Sequence, residues 1–180
     1  MPKRLVLAAA ALCAAGSAHA QTPPSAPPSC ADATYRQFDF WVGDWDLSFD
    51  NGNGQVGHAA NHITKDEFGG CVIAEHFQQP DTGYKGASWS IYDGPTGKWR
   101  QTWVDNQGGV FVLTGGPVTG QPYAFELKTV DVRGPTKTFK RMIWQDVTPD
   151  SLTWRWQSLE PDGSWKDAWV LKYQRRHKSA

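Results

Sequence analysis

The sequence predicts an all-β protein, an antiparallel up-and-down β-barrel of about ten strands. Turn-forming residues recur roughly every 8 to 14 positions from residue 40 onward, which is typical of consecutive antiparallel strands. Several of the intervening segments alternate apolar and polar residues, and long helical periods are missing from the sequence. Strands of this kind have one face for a core and one for solvent. Closing them into a barrel removes the unpaired edges that an open sheet would expose.

The N-terminal segment is predicted to be an export signal. Lys3 and Arg4 precede an apolar run over residues 5–15, and an Ala-His-Ala cleavage pattern ends at Ala20. These features are typical of a secretory signal peptide, here residues 1–20. The apolar run is shorter than the about 20 residues that a spanning helix needs. We therefore expect a periplasmic or secreted protein without a membrane span.

A proline-rich linker is predicted at residues 21–29, which hold four prolines in nine positions. The single barrel domain is expected over residues 30–176, followed by a short tail at 177–180. Once the signal is removed, Cys30 and Cys71 are the remaining cysteines. An even pair in an oxidising compartment predicts a disulfide, with two free buried thiols as the alternative.

Within the domain, residues 31–38 are expected to form a short helical turn. The first strand shows the alternation clearly, because Trp45 and Leu47 share one face while Asp44 and Asp46 share the other. Ten strands make a barrel wider than side chains just fill, which predicts an interior open enough for a small ligand. The strands are predicted at 40–49, 55–67, 71–79, 85–93, 97–105, 109–115, 122–129, 137–146, 150–159 and 164–174.

The charge balance and the aromatic content indicate which class of partner the protein binds. The 18 basic residues balance the 18 acidic residues, which disfavours a nucleic-acid partner because such proteins carry a basic surface. Core packing is the default role for most of the 10 tryptophans, but ten are more than caps and hairpins require. A pocket with aromatic walls and a few polar groups is typical of a small-molecule site. The candidate walls are Trp89, Trp103, Trp144 and Trp156, and the candidate polar anchors are Glu75, Gln101 and Arg141.

Metal binding and catalysis receive little support from the sequence. His58 and His62 lie four residues apart, about 13 Å along a strand, which is too far for both to bind one zinc ion. We find no phosphate-binding loop, nucleophile elbow or zinc-protease motif, so no metal site and no catalytic residue are assigned. If the cavity catalyses a reaction, Glu75 or Asp105 is the candidate general acid or base.

A resemblance to known proteins begins at the G-x-W motif Gly43-Asp44-Trp45. In lipocalin-like (calycin) barrels, such a tryptophan on the first strand closes one end of the barrel. An arginine from the last strand packs across it, and Arg175 and Arg176 lie directly after the last strand predicted here. The resemblance therefore implies a cation–π contact on Trp45.

Longer strings make the resemblance more specific. FDFWVGDWD at residues 38–46 and QTWVDN at residues 101–106, with Gly70-Cys71-Val72 between them, resemble an exported bacterial lipocalin-like family of unknown function. The resemblance covers about residues 30–175. It implies a fold and a compartment, but neither an activity nor catalytic residues.

A related group of barrels, the haem-binding nitrobindins, also has about ten strands and holds haem through a histidine on a late strand. The late strands predicted here, from residue 137 to residue 174, contain no histidine. The sequence therefore predicts no haem and no other cofactor.

Three functions remain open at this stage. The first is an exported binding or carrier protein for a small, largely apolar molecule. The second is an enzyme of isomerase or cyclase type that uses the same cavity. The third is a surface interaction module that works through exposed tryptophans. The sequence assigns no oligomeric state.

Overall fold

The computed structural model describes residues 30–52, 54–65 and 67–177. The expected signal peptide, the proline-rich linker and the last three residues of the tail lie outside the described residues. Within the described ranges, no helix is both long enough and apolar enough to cross a membrane.

Ten antiparallel strands form a closed barrel, which confirms the predicted fold class. Each strand pairs with its neighbours in sequence, and the first strand pairs with the last. Three short 3₁₀ helices, at Ala33–Arg36, Asp39–Trp41 and Glu67–Gly70, complete the described elements. The strands are β1 (Gly43–Asp50), β2 (Val56–Thr64), β3 (Val72–Gln79), β4 (Tyr84–Asp93), β5 (Lys98–Asp105), β6 (Val110–Pro117), β7 (Phe125–Arg133), β8 (Thr136–Gln145), β9 (Ser151–Leu159) and β10 (Trp165–Arg175).

The start of the first strand differs from the prediction. Residues 39–41 form a 3₁₀ turn instead of extended chain, in which the N–H of Val42 donates to the carbonyl of Asp39 at 3.1 Å. This turn carries Trp41 into the barrel interior, where its side chain is 1 % exposed. The predicted first strand begins at residue 40, whereas β1 begins at Gly43. Burial of the large Trp41 indole in the core thus outweighs the alternating pattern of residues 40–42.

An aromatic cluster closes one end of the barrel, which we call the plugged end. Phe38 lies at its centre and stacks on Phe125 with ring centroids 4.1 Å apart. Trp99 and Trp144 meet the same ring edge to face, and Trp41 stacks on it at 4.9 Å. Such ring pairs add about 0.5–1.5 kcal/mol beyond the burial of their area. The segment before β1 is therefore part of the core.

A disulfide joins Cys30 to Cys71, as the sequence predicts. It links the first described residue to the start of β3, which also lies at the plugged end. We call residues 30–42, the described chain before β1, the plug segment. The disulfide holds one end of it, and ring packing holds the other.

Two strand contacts are shorter than the rest. The β1–β10 and β6–β7 ladders have four residue pairs each, whereas the other neighbours share five to nine. Both short ladders pair residues near the plugged end, such as Trp45 with Arg175 and Pro117 with Phe125. At the opposite end, which we call the open end, these two seams have no ladder pairs.

Candidate functional site

The contact between the first and last strands is built around one arginine. Arg175 lies over the indole of Trp45, with Cζ 4.1 Å from the ring centroid. Its guanidinium also donates to three carbonyls, those of Val42 at 2.8 Å, Phe40 at 3.2 Å and Pro149 at 2.6 Å. One side chain thus ties the plug segment, the G-x-W strand and the loop before β9 together.

Gly43 leaves room for this guanidinium. A Cβ on Gly43 would lie 2.2 Å from Nη1 of Arg175, and its φ of +138° is a conformation that favours glycine. The neighbouring Arg176 has a different role, because it pairs with the exposed carboxylate of Asp46. The structure therefore places Arg175, and not Arg176, across Trp45.

A cavity of about 90 Å³ lies between the plug and the open end of the barrel. Ten of its lining residues are aromatic, and none is lysine, arginine or histidine. The walls are Trp41, Glu75, Phe77, Tyr84, Trp103, Phe111, Met142, Trp144, Trp154, Trp156, Trp169, Leu171 and Tyr173.

Glu75 is the carboxyl group of this cavity and is 6 % exposed. Its Oε1 accepts a hydrogen bond from Asn61 Nδ2 at 2.7 Å, and its Oε2 accepts one from Ser88 Oγ at 2.5 Å. Burial raises the pKa of Glu75 to about 7, although the hydrogen bonds from Ser88 and Asn61 act in the opposite direction. Near neutral pH the group is therefore divided between acid and anion.

The hydroxyl of Tyr173 belongs to the same polar cluster. Asn61 Nδ2 also donates to Tyr173 Oη at 3.0 Å. Burial and the charge of Glu75 both raise the pKa of Tyr173, so it stays protonated at neutral pH. The indole N–H of Trp41 lowers the pKa of Tyr173 by a smaller amount, but it does not form a hydrogen bond with the hydroxyl. The indole N–H groups of Trp41 and Trp144 are buried and have no hydrogen-bond partner among the described residues.

A second carboxyl, Asp105, lies near the open end. Tyr84 Oη donates to Asp105 Oδ2 at 3.1 Å, and Trp103 Nε1 donates to the same oxygen at 3.0 Å. The N–H groups of Gln107 and Gly109 donate to Oδ1 at 2.9 and 2.8 Å. Burial alone would raise the pKa of Asp105, but these hydrogen bonds together lower it. Asp105 is thus a fixed anion at neutral pH, which does not suit the acid–base role expected for it.

Four of the seven predicted site residues line the cavity: Glu75, Trp103, Trp144 and Trp156. Gln101 is fully buried and donates from Nε2 to Ser90 Oγ at 3.0 Å, but it does not reach the cavity wall.

Trp89 and Arg141 lie outside the cavity, contrary to the prediction. Trp89 is 44 % exposed, because the residues on either side of it, Ser88 and Ser90, point inwards and are fully buried. Met142, next to Arg141, lines the cavity, so the arginine side chain points to the outer surface of the barrel.

On the outer surface Arg141 has two hydrogen-bond partners and one ring contact. Its Nε donates to Gln157 Oε1 at 2.7 Å, and Nη1 donates to Glu126 Oε2 at 3.1 Å. Its Cζ lies 4.3 Å from the ring centroid of Trp165. That ring is outside because a β-bulge between Asp167 and Trp169 reverses the alternation of β10.

Several cavity residues escape the sequence prediction. Trp154 shares its face with Trp156 by simple alternation, so the pattern of that strand could have identified it. Asn61 and Ser88 carry no such signal. They meet Glu75 only through strand register, in which Ser88 pairs with Glu75 directly and Asn61 lies one inward position along β2.

The histidines on the strands do not contribute to the cavity. His58, His62 and His76 are all exposed, and His62 Nδ1 lies 2.5 Å from Asp44 Oδ1. Among the residues that the structure describes, no group of three or more histidine, cysteine, aspartate or glutamate side chains is arranged to hold a metal ion.

Comparisons with known proteins identify a fold but no family. No family model matches the chain, and no curated protein matches it. The crystal structure of Rv2717c from M. tuberculosis is similar, with a TM-score of 0.50, 12% identity, and coverage of 81% of this chain and 99% of that one. A redesigned β-barrel, b11L5F_LGL, matches with a TM-score of 0.33, 12% identity, and coverage of 79% and 96%. The similarity to Rv2717c, at this level of identity, concerns the fold alone.

Proposed function

We propose that the chain is an exported protein that binds a small, largely apolar molecule inside its barrel. The cavity of about 90 Å³, walled by ten aromatic side chains around one buried carboxyl, is the observation that supports this proposal. Apolar walls with few polar groups are typical of small-molecule sites. The N-terminal sequence and the Cys30–Cys71 disulfide support a periplasmic or secreted location, since disulfides persist in oxidising compartments.

The size of the cavity restricts the ligand. Sites for drug-sized molecules enclose roughly 300–1,000 Å³, and an apolar cavity of about 150 Å³ holds benzene. At about 90 Å³ the present cavity is smaller than that, so it suits a very compact molecule or the compact end group of one that extends towards the open end of the barrel. Affinity would come mainly from apolar area removed from water, at about 25 cal/mol per Å².

Polar recognition falls to Glu75. Its two oxygens already accept hydrogen bonds from Asn61 and Ser88, which fix the carboxyl in place. Each carboxylate oxygen has a further lone pair for a ligand donor. We therefore expect the ligand to carry one polar group and an apolar remainder.

The experiment that tests the proposal uses mature protein, residues 21–180, purified in its oxidised form. Native mass spectrometry is expected to show a retained small molecule. Titration with phenol, a compact neutral probe, is expected to change tryptophan fluorescence in a saturable way, because six tryptophans line the cavity.

Matched variants locate the binding. Met142→Trp and Phe111→Trp each fill the cavity, whereas Val112→Trp adds the same side chain at a position that is 61 % exposed. Phenol binding is expected to weaken at least about tenfold in a filled variant and to persist in Val112→Trp. The proposal would be overturned if neither wild type nor any variant bound phenol saturably and the native mass showed no retained ligand.

A cavity enzyme is the second candidate, and the pKa of Glu75 favours it. A carboxyl whose pKa lies near 7 inside an apolar site is suited to accept and return a proton. The expected activity is proton exchange on the bound molecule, as in an isomerase or cyclase. Incubating the co-purified ligand in heavy water with wild-type protein and with Glu75→Gln tests this, and the absence of deuterium uptake with wild-type protein would exclude it.

The surface-interaction alternative needs several exposed tryptophans. All ten tryptophans lie within the described residues, and Trp89 alone is exposed. A tryptophan-rich surface patch is therefore not available, and this alternative is not proposed further.

A further inference from the structure

The charged side chain that lines the cavity is acidic, and a second carboxyl lies behind the cavity wall. Glu75 lines the wall, and Asp105 lies behind Trp103 and Tyr84 at the open end. The lining residues include no cationic side chain. The faces of aromatic rings are also negative, because their quadrupole places electron density above and below the ring. The cavity thus combines negative ring faces, a carboxyl and no positive charge of its own.

We propose that the ligand is a compact organic cation, a quaternary ammonium or a protonated amine, with Glu75 as its counter-charge. This inference rests on the proposed function and specifies the class of its ligand. Aromatic cages that hold quaternary ammonium groups are a known use of cation–π attraction, and the attraction is stronger when the cation is desolvated. A neutral ligand could donate a hydrogen bond to Glu75, but it would leave the negative charge of the carboxylate unbalanced.

Glu75 lacks an internal counter-ion. Its hydrogen-bond partners, Asn61 on β2 and Ser88 on β4, are neutral donors. Tyr173 on β10 and Tyr84 on β4 are the titratable groups that its charge reaches, and both carry raised pKa values. An anion buried without a cation is costly, and a bound ammonium would relieve that cost.

The aromatic wall already accommodates one ammonium group. Lys140 Nζ lies 5.5 Å from the ring centroid of Trp156, a lining residue. Asp131 lies 3.7 Å from that ammonium, so the lysine is neutralised locally and does not serve Glu75.

Binding of a cation is linked to the protonation of Glu75. The cation binds more tightly when Glu75 is ionised. Binding to a molecule in which Glu75 is protonated therefore releases that proton to the solvent. For a quaternary ammonium, which does not titrate, affinity should therefore rise with pH as Glu75 ionises.

The test compares two probes of the same shape, choline and the neutral 3,3-dimethylbutan-1-ol, by calorimetric titration of the mature protein. At pH 8 choline is expected to bind at least about tenfold more tightly than the alcohol. At pH 5.5 choline is expected to lose about tenfold or more in affinity, while the affinity for the alcohol stays constant.

Two carboxyl variants complete the test. Glu75→Gln is expected to abolish the preference for choline and its pH dependence. Glu126→Gln removes an outer-surface carboxyl that pairs with Arg141 and is expected to retain both. If Glu75→Gln does not fold, the wild-type comparison of the two probes at two pH values decides alone.

The outcomes separate the two proposals. Equal or tighter binding of the alcohol at pH 8 would overturn the cation inference and leave a small-molecule site in place. Binding of neither probe, with phenol also failing, would overturn both. A choline preference that persists in Glu75→Gln would overturn the role of Glu75 as the counter-charge.

Discussion

The guanidinium of Arg175 covers the indole of Trp45 at 4.1 Å, where the first and last strands of the barrel meet. These two residues are also direct partners in the β1–β10 ladder. Because that ladder has four residue pairs, the side-chain contact supplies an important part of barrel closure. The same indole donates from Nε1 to the carbonyl of Trp41 at 2.8 Å, so closure and plug share one residue.

Replacing Arg175 should destabilise the barrel. Arg175→Ala removes a cation–π contact, worth about 0.5–2 kcal/mol, and the charged donor to three carbonyls. We expect a loss of about 3 kcal/mol in the free energy of unfolding, measured by urea denaturation. Arg176→Ala removes an exposed ion pair with Asp46 and should change it by less than about 1 kcal/mol. Equal losses in both variants would contradict this role for Arg175.

Gly43 should resist substitution. In Gly43→Ala the new Cβ would lie 2.2 Å from Arg175 Nη1, in a backbone conformation that alanine rarely adopts. The expected loss is about 1–3 kcal/mol. Gly94→Ala is the matched control, because a Cβ there has no neighbour within 4 Å and its φ is not positive. Thermal unfolding of the two variants side by side checks this, and a stable Gly43→Ala would refute it.

Glu75 should make the stability of the protein depend on pH. Its pKa is about 7 in the folded state and 4.5 without the fold, so the folded state binds more protons between these values. Its contribution to stability is present below pH 4.5 and is lost as the pH rises towards 7 and above. At 1.36 kcal/mol per pKa unit the loss approaches roughly 3 kcal/mol.

Denaturation of wild-type protein and of Glu75→Gln at pH 5 and pH 8 measures this contribution. The variant should gain stability relative to wild type on going from pH 5 to pH 8. Glu126→Gln should show the pH dependence of wild type, since this carboxyl lies on the outer surface, where it pairs with Arg141. Parallel curves for wild type and Glu75→Gln would show that Glu75 titrates normally.

Removing the disulfide should weaken the fold without abolishing it. Cys30 and Cys71 are separated by 41 residues, and closing a loop of that length is worth about 3–4 kcal/mol by chain entropy. The double variant Cys30→Ser with Cys71→Ser should lose about that amount, because the stacking of Phe38 on Phe125 still holds the plug. The measurement is denaturation with and without reductant, and reductant should affect wild type but not the double variant.

The fold could be predicted because alternation and turns are local signals. Trp45 and Leu47 alternate with aspartates, and turn residues separate the strands. The prediction of which side chains point into the barrel is wrong where polar residues occupy the inward positions. In β4 the inward positions are Ser88 and Ser90, and the outward Trp89 is the more apolar residue. A rule that turns apolar residues inwards therefore places Trp89 in the cavity, against the structure.

The site was predictable only in part for a related reason. Glu75 is visible in the sequence as an acidic residue after the apolar run Val72-Ile73-Ala74. The two serines carry no such signal, although Ser88 donates to Glu75 and Ser90 accepts from Gln101 inside the barrel. Those pairings depend on cross-strand register, which the sequence does not reveal. The same holds for the bulge before Trp169, which displaces Trp165 to the outer surface.

The two short seams distribute the backbone pairing of the barrel unequally between its two ends. Along β1–β10 and β6–β7 the ladder pairs lie near the plug and stop before the other end. The seams divide the wall into two shells, one of six strands and one of four. The plug and the disulfide join the two shells at the plugged end. Towards the open end the β1–β10 seam is held by side chains instead of ladder pairs, with the rings of Phe49 and Trp169 5.3 Å apart. Backbone pairing thus fastens the base of the aromatic chamber, and side-chain packing fastens its rim.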